Sequence, residues 1–385
     1  MLFWLAAWCL SATASAIVVP AYVYRLLRPP RRELFWGERA RRVTPLRHAA
    51  VYGAAAGPVA LAMGWWLGGL GWALTFYLAT LVGQRLAARL LGREIMAAMD
   101  FPLEVTRGQA ARRLMAELPV RLLWVSTLLL VASEWAEPLT MLCAALIAAT
   151  VYQRFAPRWL VAVGYLRGAP SELDRSTRAL AHELKVRVYG VYVVDESLAN
   201  AFALPFARSV AVTRGALLAL DESELRAVVA HELEHLGERG PMRLSRLTPL
   251  YGKLGLAALA GYLAREPSLH DAMTTFVPIA LLAMVLRVGL ALYWRRSEDR
   301  SDAAGFEHDE STYASALIRL YHYNLAQVHE ATGGGHRALR ERVATLREQP
   351  GYVPSRRHSQ APEVCTLVAL LVAAAGLLAL RALLH

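Results

Sequence analysis

Between Arg47 and Arg85 the chain carries no charged residue. A run of that length cannot wrap a soluble core without leaving apolar surface in water, but it suits a bilayer, which one helix of about 20 apolar residues crosses. It is too long for a single crossing, and WWLGGLGW in its middle places a glycine-rich turn between tryptophans of the kind found at membrane interfaces. Two tight spans are therefore expected, over 48–66 and 69–85. Further apolar stretches fall at 2–24, at 119–133 and 138–153 (split by EWAEP), at 247–263 and 273–294 (split by AREPSLHDA), and at 364–384. For residues 2–24 a cleaved signal peptide competes, since ATASA offers small residues. No positive charge precedes that run, however, and RLLRPPRR follows it, the reverse of signal-peptide polarity, so an uncleaved span is expected. The composition agrees: only 19% of residues are charged and 56% are hydrophobic, where soluble domains carry about a quarter charged residues.

The net charge of +11 comes almost entirely from arginine, Lys185 and Lys253 being the only lysines. Arginines crowd the stretches 25–47 and 85–121, whereas EWAEP carries only acid. The positive-inside rule then puts the N-terminus outside, residues 155–245 in the cytoplasm, and the chain back in the cytoplasm at YWRRSED. Nucleic acid is not the expected partner, because the arginines border apolar spans instead of interleaving with aromatic residues on a soluble face. The lipid bilayer is. The bias toward arginine over lysine points to a GC-rich bacterial genome, hence a bacterial inner membrane. Cys9, Cys143 and Cys365 sit in apolar stretches without a pairing or metal-binding pattern.

Residues 168–245 differ in character. SELDRSTRALAHELKV has helical spacing, and VRVYGVYVVD and SVAVTRG look like short strands. DESELRAVVAHELEHLGERG reads as an amphipathic helix with Asp221 as N-cap and Glu222 and Glu224 in its first turn. A polar, largely helical part follows from 295 to about 348. The expected fold is mainly α: a polytopic transmembrane helical bundle with a cytoplasmic domain that contains a small β-sheet. Residues 1–155 hold about five spans. Residues 156–350 form the domain, interrupted by the apolar helices at about 247–263 and 273–294. Residues 351–385 form a tail with a last span.

Within the helix, HELEH places His231 and His235 one turn apart on one face, where both imidazoles can reach one tetrahedral ion. Glu232 then stands beside that ion, close enough to deprotonate a water, which is the mechanical content of H-E-x-x-H as a zinc hydrolase site. A solvated helix face is the competing reading; the apolar residues in AVVAHELEHL favour a partly buried helix. A third ligand is needed. Glu234 and Glu238 point away from the histidine face or lie a turn beyond it. Glu298, in WRRSEDRSDAAG, leaves the membrane on the same side as HELEH and is the better candidate, with FEHDE (Glu307, His308, Asp309) as the rival source. Asp302 is one turn beyond Glu298 on the same face, where a carboxylate can accept the second ring N–H of a ligand histidine.

HExxH followed by ExxxD on a later helix, with two apolar segments between, resembles the gluzincin membrane peptidases of the HtpX and CAAX-prenyl-endopeptidase family. NAFALPFARSVAVTRGALLAL resembles that family's edge segment and "VTxG" strand. HRALRERVATL resembles its late helix, with His336 and Arg342 at matching spacing and Arg337 in place of the family's proline. The resemblance covers about residues 170–347. It implies a gluzincin-type zinc peptidase domain with one Zn2+ held by His231, His235 and Glu298, and Glu232 as general base. It also implies a polypeptide substrate held extended by the backbone around Asn200, Ala201 and Phe202, and Arg342 as partner to a carboxylate such as Asp302. The five candidate spans ahead of the domain exceed the two of HtpX-like proteins. A membrane sensor of the BlaR/MecR type and a non-catalytic membrane scaffold are the competing functions; the former adds an extracellular ligand-binding domain that this sequence does not offer, and the latter would carry no stoichiometric zinc.

Overall fold

The structure, a computed structural model, describes residues 106–247 apart from 134 and 136, scattered positions from 250 to 262, residues 293–326 apart from 308 and 325, residues 339–343, and Ala40. The spans expected at 2–24, 48–66, 69–85, 273–294 and 364–384 lie outside the described residues, or all but their last positions do. So do His308 and His336.

Two long helices open the described part. α1 (Arg107–Ala132) starts at a capping box in which Thr106 accepts from Gln109 N and Gln109 accepts from Thr106 N. α2 (Pro138–Ala162) has its proline at the first helical position, where no N–H is needed. Both run further than their apolar sequences indicate. In α1 the helix continues back through Arg113, Glu117 and Arg121, because pairs at i,i+4 satisfy these charges on the helix surface. By length and composition Gly108–Val131 and Pro138–Ala162 can each cross a membrane. The two pack together, and Leu250, Tyr251 and Leu254 pack against them around Ala145 and Ala149, with Thr150 and Tyr251 joined by a hydroxyl–hydroxyl bond of 2.7 Å.

A four-stranded sheet follows, formed by β1 (Leu166–Gly168), β2 (Gly190–Val194), β3 (Ala201–Leu204) and β4 (Ser209–Thr213) in the order β1-β2-β4-β3. β2 and β4 are parallel, with Val191 opposite Val210; the two outer pairs are antiparallel. The crossover from β2 to β4 passes through β3 at the sheet's edge. Of the expected strands, VRVYGVYVVD forms β2 only in its second half and SVAVTRG forms β4; the edge segment that the family resemblance placed at Asn200–Ala203 is the start of β3, and β1 alone was not anticipated as a strand. α3 (Ser171–Glu183) and α5 (Glu222–Gly237) pack on the face that carries Ala201, Val210 and Val212. The opposite face buries Leu166, Val194 and Ala211.

α4 (Arg214–Ala219) leaves β4 at Gly215. A Cβ there would lie 2.2 Å from the Ser197 carbonyl oxygen, so the loop that feeds β3 crosses at a distance only glycine permits. α5 starts as the sequence indicates: Asp221 accepts from Glu224 N at 2.9 Å and Glu224 accepts from Asp221 N at 3.1 Å. Buried Glu224 also accepts from Ser315 at 2.6 Å and pairs with Arg319 at 3.0 Å. The cap that begins α5 thereby docks α8 (Glu310–Tyr323) across it. Further helices among the described residues are α6 (Gly240–Ser245), α7 (293–307) and α9 (Leu339–Arg342), and the described positions from 250 to 262 are helical as well.

Candidate metal centre

α5 turns His231 and His235 toward α7, and all three of His231, His235 and Glu298 are buried. His231 Nε2 and His235 Nε2 lie 3.2 Å apart, and Glu298 Oε2 lies 3.5 Å from each. A tetrahedral shell with bonds of about 2.0–2.1 Å has corners roughly 3.3–3.4 Å apart, so the three atoms sit where three ligands of one small divalent ion would sit. These are also the residues whose donor atoms cluster for a metal among those described.

The other ring nitrogens are held from outside. His231 Nδ1 faces Asp302 Oδ1 at 3.1 Å and the Tyr313 hydroxyl at 2.8 Å. Tyr313 donates to Asp302, and Arg342 Nε donates to the other Asp302 oxygen at 2.8 Å. His235 Nδ1 faces Glu238 Oε1 and Ser301 Oγ, both at 3.0 Å. Arg246 Nη2 also stands 2.8 Å from His235 Nδ1, between it and Glu238; the carboxylates of Asp302 and Glu238 beside the two Nδ1 atoms favour the proton there, with the Nε2 lone pairs toward the centre. Glu238 therefore does take part. It lies just past the end of α5 in an extended conformation (φ −55°, ψ 137°), which swings its side chain back onto His235.

Arg246 joins the two halves. Its Nη1 donates to Glu298 Oε1 at 2.9 Å, and its Nε and Nη2 donate to the two oxygens of Glu238 at 3.1 and 2.6 Å. One guanidinium thus fixes the carboxylate of Glu298 with its second oxygen directed at the histidines. The sequence offers no periodic signal for this. Arg246 lies eleven residues past His235, in the turn that closes α6, and only the fold returns it to the site. Tyr313 and Ser301 were missed for the same reason.

Charge explains the protonation behaviour. Four carboxylates (Glu232, Glu238, Glu298, Asp302) stand against two guanidinium groups (Arg246, Arg342), which leaves two negative charges for a divalent ion to neutralise with both imidazoles neutral. Without an ion the deficit falls on the histidines. Burial opposes protonation of each, yet Asp302 and Glu298 lift the His231 imidazole above its ordinary range, and Glu238 and Glu298 lift that of His235 to about 9. Burial likewise opposes ionising the outer carboxylates, but His235 and Arg246 hold Glu238 down at about 2, and His231 and Arg342 hold Asp302 well below the carboxylate range. Burial pushes the Tyr313 phenol well up, so it stays a donor.

Glu232 lies off the histidine triangle, and its Oε2 accepts from Ala203 N on β3 at 2.7 Å. β3 is an edge strand. The Asn200 carbonyl accepts from Thr213 N, so Asn200 is one of the bonded pairs with β4, and by alternation the main-chain groups of Ala201 and Ala203 turn outward. The ring of Phe202 packs on the far face of the sheet with Leu166, Val194 and Ala211, leaving only its backbone near the cleft. Asn324 clamps the approach to β3, accepting from Ala199 N at 2.8 Å and donating to the Ala199 carbonyl at 2.6 Å. The cleft between β3, α5 and α8 thus has on one wall a strand edge with no strand beyond it among the described residues, and the histidine cluster on its floor.

Residues 170–350 match the sequence profile of peptidase family M48. A protease HtpX homolog of Burkholderia thailandensis is 31% identical to the chain in a match that takes in 45% of this chain and 72% of that protein. Protease HtpX homologs of Burkholderia mallei and Burkholderia multivorans are 30% and 29% identical, with the same coverage.

Proposed function

We propose, on the premise that the chain belongs to peptidase family M48 as an HtpX-like member, that it is a zinc-dependent endopeptidase anchored in a bacterial inner membrane, cleaving membrane or membrane-near polypeptides at the cytoplasmic face. The observation that carries this reading is the triangle of His231, His235 and Glu298 with Glu232 between it and the free edge of β3. Zinc suits that donor set, and when bound supplies Lewis acidity toward the scissile carbonyl and toward a water.

The chain's own groups do the rest. The outward main-chain groups of Ala201 and the Ala203 carbonyl hold the substrate extended as an added strand, which fixes the scissile bond relative to α5. Glu232 takes the proton from the attacking water and passes it to the leaving amine. Its contact with Ala203 N keeps the carboxylate oriented before substrate arrives. Asp302, set by Arg342 and Tyr313, holds His231 in the tautomer that presents Nε2; Glu238 does the same for His235. The apolar helices Gly108–Val131 and Pro138–Ala162 support the membrane anchoring.

Glu232→Gln tests the assignment. The substitution removes the base and leaves every proposed ligand in place, so zinc content should equal that of the wild type while peptide hydrolysis falls by about 10²–10⁴-fold. Turnover within tenfold of wild type at full zinc content would remove Glu232 from the mechanism.

A further inference from the structure

Where α2 passes from apolar to charged residues, three arginines from three different elements meet. Arg154 on α2, Arg208 in the turn between β3 and β4, and Arg243 on α6 line one open pocket together with Val151, Tyr189 and Phe206. Among the described residues no carboxylate lines it, and none of the three arginines is ion-paired to a described residue. What holds them is neutral. Arg154 donates to the Phe206 carbonyl at 3.0 Å and stacks 5.7 Å from the Tyr189 ring, and Arg243 lies 5.4 Å from the Phe206 ring. Arg208 occupies the left-handed backbone region (φ +48°), where glycine or asparagine would sit at less cost. The guanidinium groups are thus gathered and oriented but not neutralised.

Below this pocket α2 presents an apolar stripe. Leu139, Cys143, Ile147 and Val151 recur at four-residue steps and all are exposed, so the stripe winds slowly, through about a third of a turn, along the helix. From Leu139 to Val151 the stripe is about 18 Å long at 1.5 Å per residue, against the roughly 15 Å of one leaflet of hydrocarbon. It ends at Val151, which is part of the pocket wall. A cationic pocket at the head of an exposed apolar stripe matches one ligand chemistry, a phosphate carried on an acyl chain. The geometry points to a binding site for an anionic phospholipid, its phosphate among Arg154, Arg208 and Arg243 and one chain along α2. This rests on the membrane anchoring put forward above. An acidic stretch of the polypeptide substrate would use the arginines but not the stripe. The site adjoins the cleft, since Phe206 lines both, so the lipid would sit against the turn that ends the substrate-binding edge strand.

The test uses the full chain, purified in a neutral detergent and incorporated into nanodiscs of phosphatidylcholine alone or with phosphatidylglycerol. Bound phosphatidylglycerol is titrated for the wild type, Arg243→Gln, Arg154→Gln and the distant control Arg175→Gln, with inorganic phosphate as competitor. Arg243→Gln is the primary variant, because its side chain makes no hydrogen bond to a described residue, and zinc content checks that each variant is folded. The expected result is a phosphatidylglycerol preference that each pocket substitution weakens about fivefold, the equivalent of about 1 kcal/mol per arginine near a membrane surface. Arg175→Gln should change it by less than twofold, and millimolar phosphate should not abolish it. Equal loss in Arg175→Gln would reduce the effect to general surface charge and overturn the site. Unchanged lipid preference in Arg243→Gln, with a raised KM confined to acidic peptides, would make the pocket a peptide subsite instead. Failure of the wild type to enter either bilayer would overturn the membrane reading itself, an outcome distinct from entry without preference.

Discussion

At the scale of single residues the centre depends on groups that never touch an ion. Arg246 compensates two buried carboxylates at once, Glu298 and Glu238, and losing it leaves both in a medium that solvates charge poorly. Arg246→Gln should therefore lower zinc affinity by about 10–100-fold, the usual cost of losing a group behind a metal ligand. Arg246→Lys should recover part of this, because an ammonium restores the charge but cannot fork between two carboxylates. Zinc titration against a competing chelator reads both; equal affinity in wild type and Arg246→Gln would deny Arg246 any positioning role. The proposed ligands were legible in the sequence because helix periodicity constrains them. His231 and His235 share a face wherever the helix goes, and Glu298 follows from an apolar segment that must re-emerge on the same side. Arg246, Glu238 and Tyr313 were not legible, since their places depend on a non-helical cap, a short turn and the docking of a separate helix.

At the scale of elements the contact between α7 and α8 is set by a hole. Gly305 sits inside α7, where glycine costs about 0.5–1 kcal/mol relative to alanine. A Cβ there would meet the buried ring of Tyr313 at 2.8 Å. Helix propensity favours Gly305→Ala, while overpacking opposes it by typically 1–3 kcal/mol, and with a fully buried ring that cannot yield the second effect wins. Gly305→Ala should lower both the thermal midpoint and zinc affinity, because the ring moves off His231 and Asp302. Tyr313→Phe should keep the midpoint within a few degrees and lower zinc affinity alone. A more stable Gly305→Ala protein with normal zinc binding would mean that the ring has room. The same contrast separates the elements that sequence revealed from those it hid. α5 carried its own start signal in Asp221 and Glu224. β3 has four residues and no alternation of polar and apolar side chains, so periodicity hides it, and only the resemblance of NAFA to a family edge segment pointed to it.

At the scale of the whole molecule the proposed ion would tie α5 to α7, two helices separated by the residues from 238 to 292. A ligand that binds only the assembled state stabilises it by RT ln(1 + [L]/Kd), about 2.7 kcal/mol at a hundredfold excess over Kd. For a domain of this size that corresponds to a rise of roughly 5–10 °C in midpoint. Chelation should therefore lower the thermal midpoint by that order, and zinc should restore it in the wild type and in Glu232→Gln, but not in a protein lacking Glu298. A midpoint indifferent to chelator would mean that no ion bridges the helices.

The spread of the centre along the chain has a consequence in time. Synthesis runs from the N-terminus, so HELEH leaves the ribosome while Glu298 has not yet been made. Arg342, which sets Asp302 and through it His231, comes later still. Until the segment between Arg246 and Glu298 is in place, the nascent protein holds two histidines, a base and a strand edge, but no closed coordination triangle. On the proposed reading, a hydrolase made beside other nascent polypeptides would be inert by order of construction, and would become competent only once its later helices had docked.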